Sequence, residues 1–98
     1  MPHAQALVLT DDPSTLAAEL TRRLGLEFET EWSAEAGYVK VNEGVCTFHS
    51  WPEGLRLDAF ADSGERLSSI EQLIAQHLRM QEGGARLRIE WRRRPLSE

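Results

Sequence analysis

Apolar and polar residues follow different patterns along the chain, and the first 25 residues predict a strand followed by a helix. Residues 6–9 are apolar on both faces, which predicts an interior strand covered on both sides, or one that lines a closed end of the core. Asp12 can cap a helix that has Pro13 at its first position, and Gly25 supplies the stop. Between them, apolar residues recur every four positions, at Leu16, Leu20 and Leu24.

The middle of the chain, residues 27–61, predicts four strands joined by short turns. Acidic and less polar residues alternate strictly over residues 27–32, which is the period of a half-buried strand. The inward side chains of that strand would be Phe28, Thr30 and Trp32. Further strand-like runs follow at residues 38–41, 45–50 and 55–61. Turn residues separate them at positions 42–44 and 51–54, so we expect an antiparallel meander.

The last third of the chain predicts a second helix and a final strand. Asp62 stands three residues before Glu65 as an acidic capping pair. An apolar stripe at helical spacing follows, at Leu67, Ile70, Leu73, Ile74, His77 and Leu78. Residues 82–84 end this helix with two glycines. Residues 86–92 then return to a period of two, with inward side chains at Leu87, Ile89 and Trp91.

The order strand, helix, four strands, helix, strand predicts an α+β fold. We expect two layers, with both helices on one face of a mostly antiparallel sheet of five or six strands. Residues 1–98 would form a single domain with an ordered core at about residues 4–93. The opposite face of the sheet would then carry mostly charged and polar side chains, at Glu27, Glu29, Glu31, Lys40, Thr47, His49, Arg56, Asp58, Arg86, Arg88 and Arg92.

Composition narrows the class of protein. No apolar run approaches the roughly 18 residues that a membrane span needs, and the N-terminus lacks the features of a secretory signal. We therefore expect a cytoplasmic protein with no membrane partner. The single cysteine, Cys46, excludes an internal disulfide and any multi-cysteine zinc site. A net charge of −5 argues against general affinity for nucleic-acid phosphates.

The charge is unevenly distributed along the chain. Residues 1–78 carry 5 basic and 13 acidic groups, whereas residues 79–94 carry six arginines and two glutamates. If the last strand lies beside the acidic strand, Glu27, Glu29 and Glu31 would form cross-strand ion pairs with its arginines. The alternative is a nucleic-acid contact through Arg86, Arg88, Arg92, Arg93 and Arg94.

The residue pattern supplies no catalytic, cofactor-binding or metal-binding constellation. His3, His49 and His77 do not stand at the spacing of metal ligands, and His77 lies on the apolar stripe, which favours a core histidine with a satisfied hydrogen bond. His49 would point away from Cys46 on the same strand, so only His77 could form a nucleophilic pair with this cysteine. The surface features without a structural explanation are Tyr38, His49, Trp51, Arg86 and Arg88.

These observations favour one function and leave two alternatives open. The favoured hypothesis is a non-enzymatic module without a cofactor, which binds a protein or a small molecule through its outer sheet face. One form of this hypothesis is a homodimer, in which the partner is a second copy of the chain. The first alternative is a small metal-dependent or redox accessory enzyme that uses Cys46 and His77. The second is weak nucleic-acid binding through the C-terminal arginines, which would depend steeply on salt.

Three stretches of the sequence resemble a bacterial family of small domains, domain of unknown function 2218. Residues 6–13 are similar to the family's A-x-V-x-T-D-x-P start, and residues 44–46 to its G-x-C element. His77 and Leu78, with Leu87, Ile89 and Trp91 onward, resemble its H-L…L-x-V-x-W ending. The resemblance covers about residues 4–92 and implies no particular reaction or cofactor.

The sequence departs from the family pattern at two places. Arg23, Leu26 and Glu27 stand where the family has paired histidines and a lysine. Residues 80–82 replace an arginine–phenylalanine–alanine run. Any activity that depends on those groups would be lost or altered in this chain. Some relatives are similar to segments attached to siderophore-interacting flavoproteins, so the resemblance implies a loose association with iron and siderophore handling.

Overall fold

The computed structural model describes residues 2–41, 44–81 and 86–94. Its helices and strands are, in chain order, β1 (His3–Leu9), α1 (Pro13–Leu24), β2 (Glu29–Ser33), β3 (Ala36–Val41), β4 (Gly44–Trp51), β5 (Gly54–Ala61), α2 (Gly64–Arg79) and β6 (Arg92–Arg94). The predicted turn residues 42–43 and the predicted helix stop at residues 82–84 lie outside the described residues.

The strands form a six-stranded sheet in the order β2-β3-β4-β5-β1-β6, and every neighbouring pair is antiparallel. Both helices pack on this sheet and on each other. The predicted α+β fold and its element order are therefore confirmed. In the described ranges, neither helix combines the length and apolar character that crossing a bilayer requires.

The core lies between the helices and one face of the sheet. Side chains alternate across a strand, so Phe48 on β4 and Leu57 on β5 face the helices while their neighbours face outward. Both are fully buried, as are Leu20 of α1 and Ile74 of α2. Phe28 and Trp32 are partly buried and pack against this cluster, as the alternation predicts.

The capping residue at the start of α1 is the predicted one, whereas the capping residue of α2 is not. Asp12 accepts a hydrogen bond from the Thr15 backbone N–H at 3.2 Å and caps α1. The cap of α2 is Ser63 instead of Asp62, because Ser63 has extended backbone angles and its hydroxyl accepts the N–H of Arg66 at 3.2 Å. Asp62 forms an ion pair with the Arg66 guanidinium at 3.2 Å.

The first strand lies inside the sheet, between β5 and β6, but it is not covered on both faces, so the predicted two-sided cover is wrong. β1 buries Ala4, Ala6 and Val8 against the core, but its outward residues Leu7 and Leu9 are 40% and 68% exposed. The helices lie on one face only, and the outer face of β1 therefore remains open to solvent. A strand with two apolar faces is buried on both only when a second layer of structure covers its outer face.

The last strand is shorter than predicted, and its neighbour is a different one. β6 contains only residues 92–94 and pairs with β1, whereas residues 86–91 are not in a strand. Leu87, Ile89 and Trp91 still pack against the core. β2 and β6 lie at opposite edges of the sheet, so the predicted cross-strand pairs between its glutamates and the arginines do not form. Alternating charge is compatible with any neighbouring strand and does not determine strand order.

Candidate binding site on the outer sheet face

The face of the sheet opposite the helices, here called the outer face, is ordered in rows by the strand register. One row contains Glu31, Tyr38, Thr47, Asp58, Gln5 and Arg92. The next row contains Ser33, Ala36, His49, Arg56 and Leu7. Strands that are distant in sequence thus bring polar and charged side chains from both ends of the chain to the centre of this face.

Asp58 is the centre of a hydrogen-bonded cluster on the outer face. One carboxylate oxygen lies 2.9 Å from His3 Nε2 and accepts a hydrogen bond from Gln5 Nε2 at 3.1 Å. The other oxygen accepts a hydrogen bond from Arg56 Nε at 3.0 Å. The His3 ring also stacks on Phe60, with ring centroids 4.3 Å apart. Asp58 is only 7% exposed, and three donors surround its carboxylate, two from the neighbouring strand β1 and one from its own strand β5.

The ionisation of Asp58 reflects two opposing effects. Burial is the largest single influence and acts to raise its pKa, because a charged carboxylate loses water. Hydrogen bonds from His3 and Arg56, with the Arg56 charge and a weaker bond from Gln5, outweigh burial and hold the pKa of Asp58 below its ordinary value. The side chain is thus a stable anion in the middle of the outer face.

Arg56 links this cluster to a cleft. Its guanidinium carbon lies 5.0 Å from the centre of the Trp51 ring, within cation–π distance. No described residue accepts a hydrogen bond from its two terminal nitrogens. The cleft beside it has a volume of about 380 Å³ and is lined by Gln5, Ala6, Leu7, Trp51, Arg56, Glu90 and Arg92.

The backbone of Leu7 adds an unpaired donor and acceptor to the cleft wall. Backbone groups alternate in direction along a strand, and the Pro2 carbonyl accepts from the Ala61 N–H at 3.2 Å on the β5 side. Pro2 and every second residue after it therefore direct their backbone groups toward β5. Leu7 is not one of them, so its N–H and C=O point to the opposite side of β1. On that side β6 extends only as far as the pairing of Gln5 with Arg92. Within the described residues, the Leu7 N–H and C=O form no hydrogen bond on that side.

The surface residues that the sequence predicted are only partly brought together. His49 and Trp51 lie on β4, close to Arg56 of β5, because His49 is the register partner of Arg56. Tyr38 lies farther toward the β2 edge, and its hydroxyl donates to Glu29 at 3.2 Å. Burial and the Glu29 carboxylate raise the pKa of Tyr38.

The predicted arginine stripe is divided among different environments. Arg86 and Arg88 are exposed on the segment before β6, and Arg88 lies 3.7 Å from Glu90 in an ion pair. Arg93 faces α2, where it donates to Glu71 at 2.7 Å and to Ser68 at 2.8 Å. Arg92 lines the cleft and makes no ion pair with another described residue. The four arginines whose side chains the structure describes therefore do not form one continuous cationic surface.

The residues of the alternative enzyme site lie in or near the core. Cys46 is fully buried on the inner face of the sheet, and burial, with a smaller effect of the Asp58 charge, raises the pKa of its thiol. A raised pKa disfavours the nucleophilic thiolate. His77 is half-buried on α2, and its Nδ1 has no hydrogen-bond partner among the described residues, which differs from the satisfied core histidine expected from the stripe.

Within residues 2–41, 44–81 and 86–94, no group of three or more histidine, cysteine or acidic side chains has an arrangement that could hold a metal ion. A second groove lies between α2 and the segment before β6 and is lined by Met80, Ile89 and Trp91 among others. The Trp91 indole Nε1 is buried without a hydrogen-bond partner in the described part of the chain.

Sequence reasoning missed the contribution of His3, Gln5 and Leu7. The apolar run predicts a strand only from residue 6, whereas β1 begins at His3 and pairs with β5 along its whole length. The signal in the sequence is the alternation of polar His3 and Gln5 with apolar Ala4 and Ala6, which extends the period of two to residues before position 6. Their common partner, Asp58, is visible only once the strand order is known.

Comparisons with known proteins relate the chain to one family and to a solved structure. The family model described as "Uncharacterized protein conserved in bacteria (DUF2218)" matches residues 5–92. The chain is similar to the structure described as "NMR structure of PA4090 from Pseudomonas aeruginosa", with a TM-score of 0.77 and 21% sequence identity over 94% of this chain and 96% of that one. At this identity the likeness shows a shared fold. No curated protein matches the chain.

Proposed function

Since the chain belongs to the DUF2218 family of bacterial proteins, whose description names no reaction or ligand, we propose that it is a non-enzymatic binding module. The binding surface is the outer sheet face, centred on the cleft beside Trp51 and Arg56. The observation that carries the proposal is the immobilised Arg56 side chain, which Asp58 holds on one side and the Trp51 ring holds on the other.

An ordered arginine at a cleft lowers the cost of binding. Immobilising a long side chain when a ligand arrives costs about 0.5–1.5 kcal/mol, and the folded chain has already met this cost for Arg56. The cleft also has an apolar wall at Leu7 and Trp51 and a volume within the usual range of small-molecule sites. A structural role for Asp58 alone would require neither an exposed tryptophan nor an open cleft.

The three tryptophans provide a direct test by NMR, because each indole N–H gives a separate signal. Trp51 lies on the outer face, whereas Trp32 packs against the core and Trp91 lies at the groove beside α2. We expect a protein-free extract of bacterial cytoplasm to shift the Trp51 indole signal without shifting the Trp32 signal. Substitution of His49 by alanine should weaken the response.

The matched control is Met80→Ala, which alters the groove on the helix side and should leave the Trp51 response unchanged. A response confined to Trp91 would assign binding to that groove and contradict the proposal. An unchanged spectrum with the extract, with purified candidate protein partners and on dilution of the protein itself would contradict it as well.

A further inference from the structure

We infer that the outer-face cleft binds a small organic carboxylate carried on a flat apolar body. This inference rests on the proposed function and specifies its ligand class. In the described part of the chain, the cleft has more hydrogen-bond donors than acceptors without a partner, and these donors lie beside an aromatic and aliphatic wall. A carboxylate on an aromatic or similarly planar group complements both properties.

The donors come from three separate elements. Arg56 on β5 has terminal nitrogens without a described acceptor, since its Nε alone binds Asp58. Arg92 on β6 is exposed and lines the same cleft. The Leu7 N–H on β1 has no partner among the described residues at the point where β6 ends. Guanidinium groups bind carboxylates through parallel N–H donors, which gives such contacts both strength and orientation.

The apolar part of the cleft suits a planar group. Trp51 is 41% exposed, and Leu7 is 40% exposed although both belong to regular strands. The Arg56 guanidinium lies 5.0 Å from the Trp51 ring centre and adds a second flat surface. Aromatic groups stack favourably on tryptophan and on guanidinium planes, so a flat ligand body gains contact area that a branched one does not.

Glu90 is the acidic residue on the cleft wall, and its charge opposes an anion. Its carboxylate lies 3.7 Å from Arg88 Nε, so its charge is partly compensated. The Asp58 carboxylate is hydrogen-bonded to His3, Gln5 and Arg56 and is 7% exposed, so its negative charge is largely compensated as well. Among the described residues, the groups without a partner at the cleft are the Arg92 guanidinium, the terminal nitrogens of Arg56 and the backbone N–H and C=O of Leu7. Two of these three groups are cations and only the Leu7 carbonyl is an acceptor, which favours a carboxylate over a neutral or cationic ligand.

The test compares a naphthalene carboxylate with its neutral carboxamide by titration of the ¹⁵N-labelled full chain. The two probes share shape and apolar area and differ in charge. We expect the carboxylate to bind at least about tenfold more tightly, because a charge-assisted hydrogen bond is about twice as strong as a neutral one. The shifted signals should be the Trp51 indole and the Leu7 amide.

Arg92→Gln should weaken carboxylate binding about tenfold, with little effect on the carboxamide. The control is Arg79→Gln, which makes the same charge change on α2 and should not alter affinity. Equal affinity for the two probes, equal effects of the two variants, or no binding of either probe would overturn the inference. If the probes fail while the cell extract still shifts Trp51, the proposed function stands and the ligand class is wrong.

Discussion

Replacement of Asp58 by asparagine tests whether the outer-face cluster contributes to stability. Asparagine keeps an oxygen that can accept from His3 and Gln5, but its amide group presents N–H donors to the Arg56 Nε–H. A hydrogen bond to a charged group contributes about 1.5–3 kcal/mol. Since the Arg56 side chain is 34% exposed, water recovers part of this loss. We therefore expect a destabilisation of about 2 kcal/mol.

Thermal and urea denaturation measure this change. In a domain of this length, about 2 kcal/mol corresponds to a fall in Tm of roughly 10 °C. The matched control is Asp62→Asn, which breaks an ion pair with Arg66 in which both side chains are about half exposed. Exposed pairs of this kind contribute below about 1 kcal/mol. An Asp58 effect no larger than the Asp62 effect would refute the claim that the cluster is a stabilising element.

The pH dependence provides a second check on the same reasoning. Because the folded pKa of Asp58 is lowered, its carboxylate contributes stability above the ordinary aspartate pKa, and this contribution is lost as the pH falls through the folded value. The stability difference between wild type and Asp58→Asn should be constant from neutral pH to about pH 5 and should narrow below about pH 4. A difference that widens in acid would contradict the lowered pKa.

Two further predictions concern residues away from the outer face. The Cys46 thiol should react with a thiol reagent only as fast as the domain unfolds, because it is fully buried and burial raises its pKa; rapid labelling of the native protein would instead support the enzyme alternative. Ser63→Ala should destabilise the domain by about 1 kcal/mol in denaturation experiments, because Ser63 caps α2. The control Ser69→Ala, at an exposed position within the helix, should be neutral or slightly stabilising, and equal effects of both variants would refute the assigned cap.

The order and type of the elements could be predicted because each depends on local periodicity. Phe28 and Trp32 face the core as their alternation requires, and Ile70 and Ile74 do so on α2. The neighbours of each strand could not be predicted in the same way. The arginines of the last segment fit an edge beside the acidic β2 as well as an edge beside β1, and pairing is decided by non-local packing.

The same limit explains which part of the candidate site could be predicted. Exposure of Trp51 followed from its place at a turn, because such a position leaves little of the core to cover it. The cluster around Asp58 depends on the contact of β1 with β5, which joins His3 to a residue 55 positions later. No local pattern encodes such a contact, so Asp58 could be placed on the outer face by alternation but its partners could not be named.

Arg92 and Arg93 are consecutive residues of β6, so their side chains lie on opposite faces of the sheet. Arg93 faces inward and is held by Glu71 and Ser68 of α2, which ties this short edge strand to the helix layer. Arg92, the preceding residue, must then face outward and is brought beside Gln5 at the cleft. Three ladder residues alone would hold an edge strand weakly. The inward ion pair of Arg93 therefore positions the outward Arg92, so Arg93 has a structural role and the neighbouring Arg92 has the binding role proposed above.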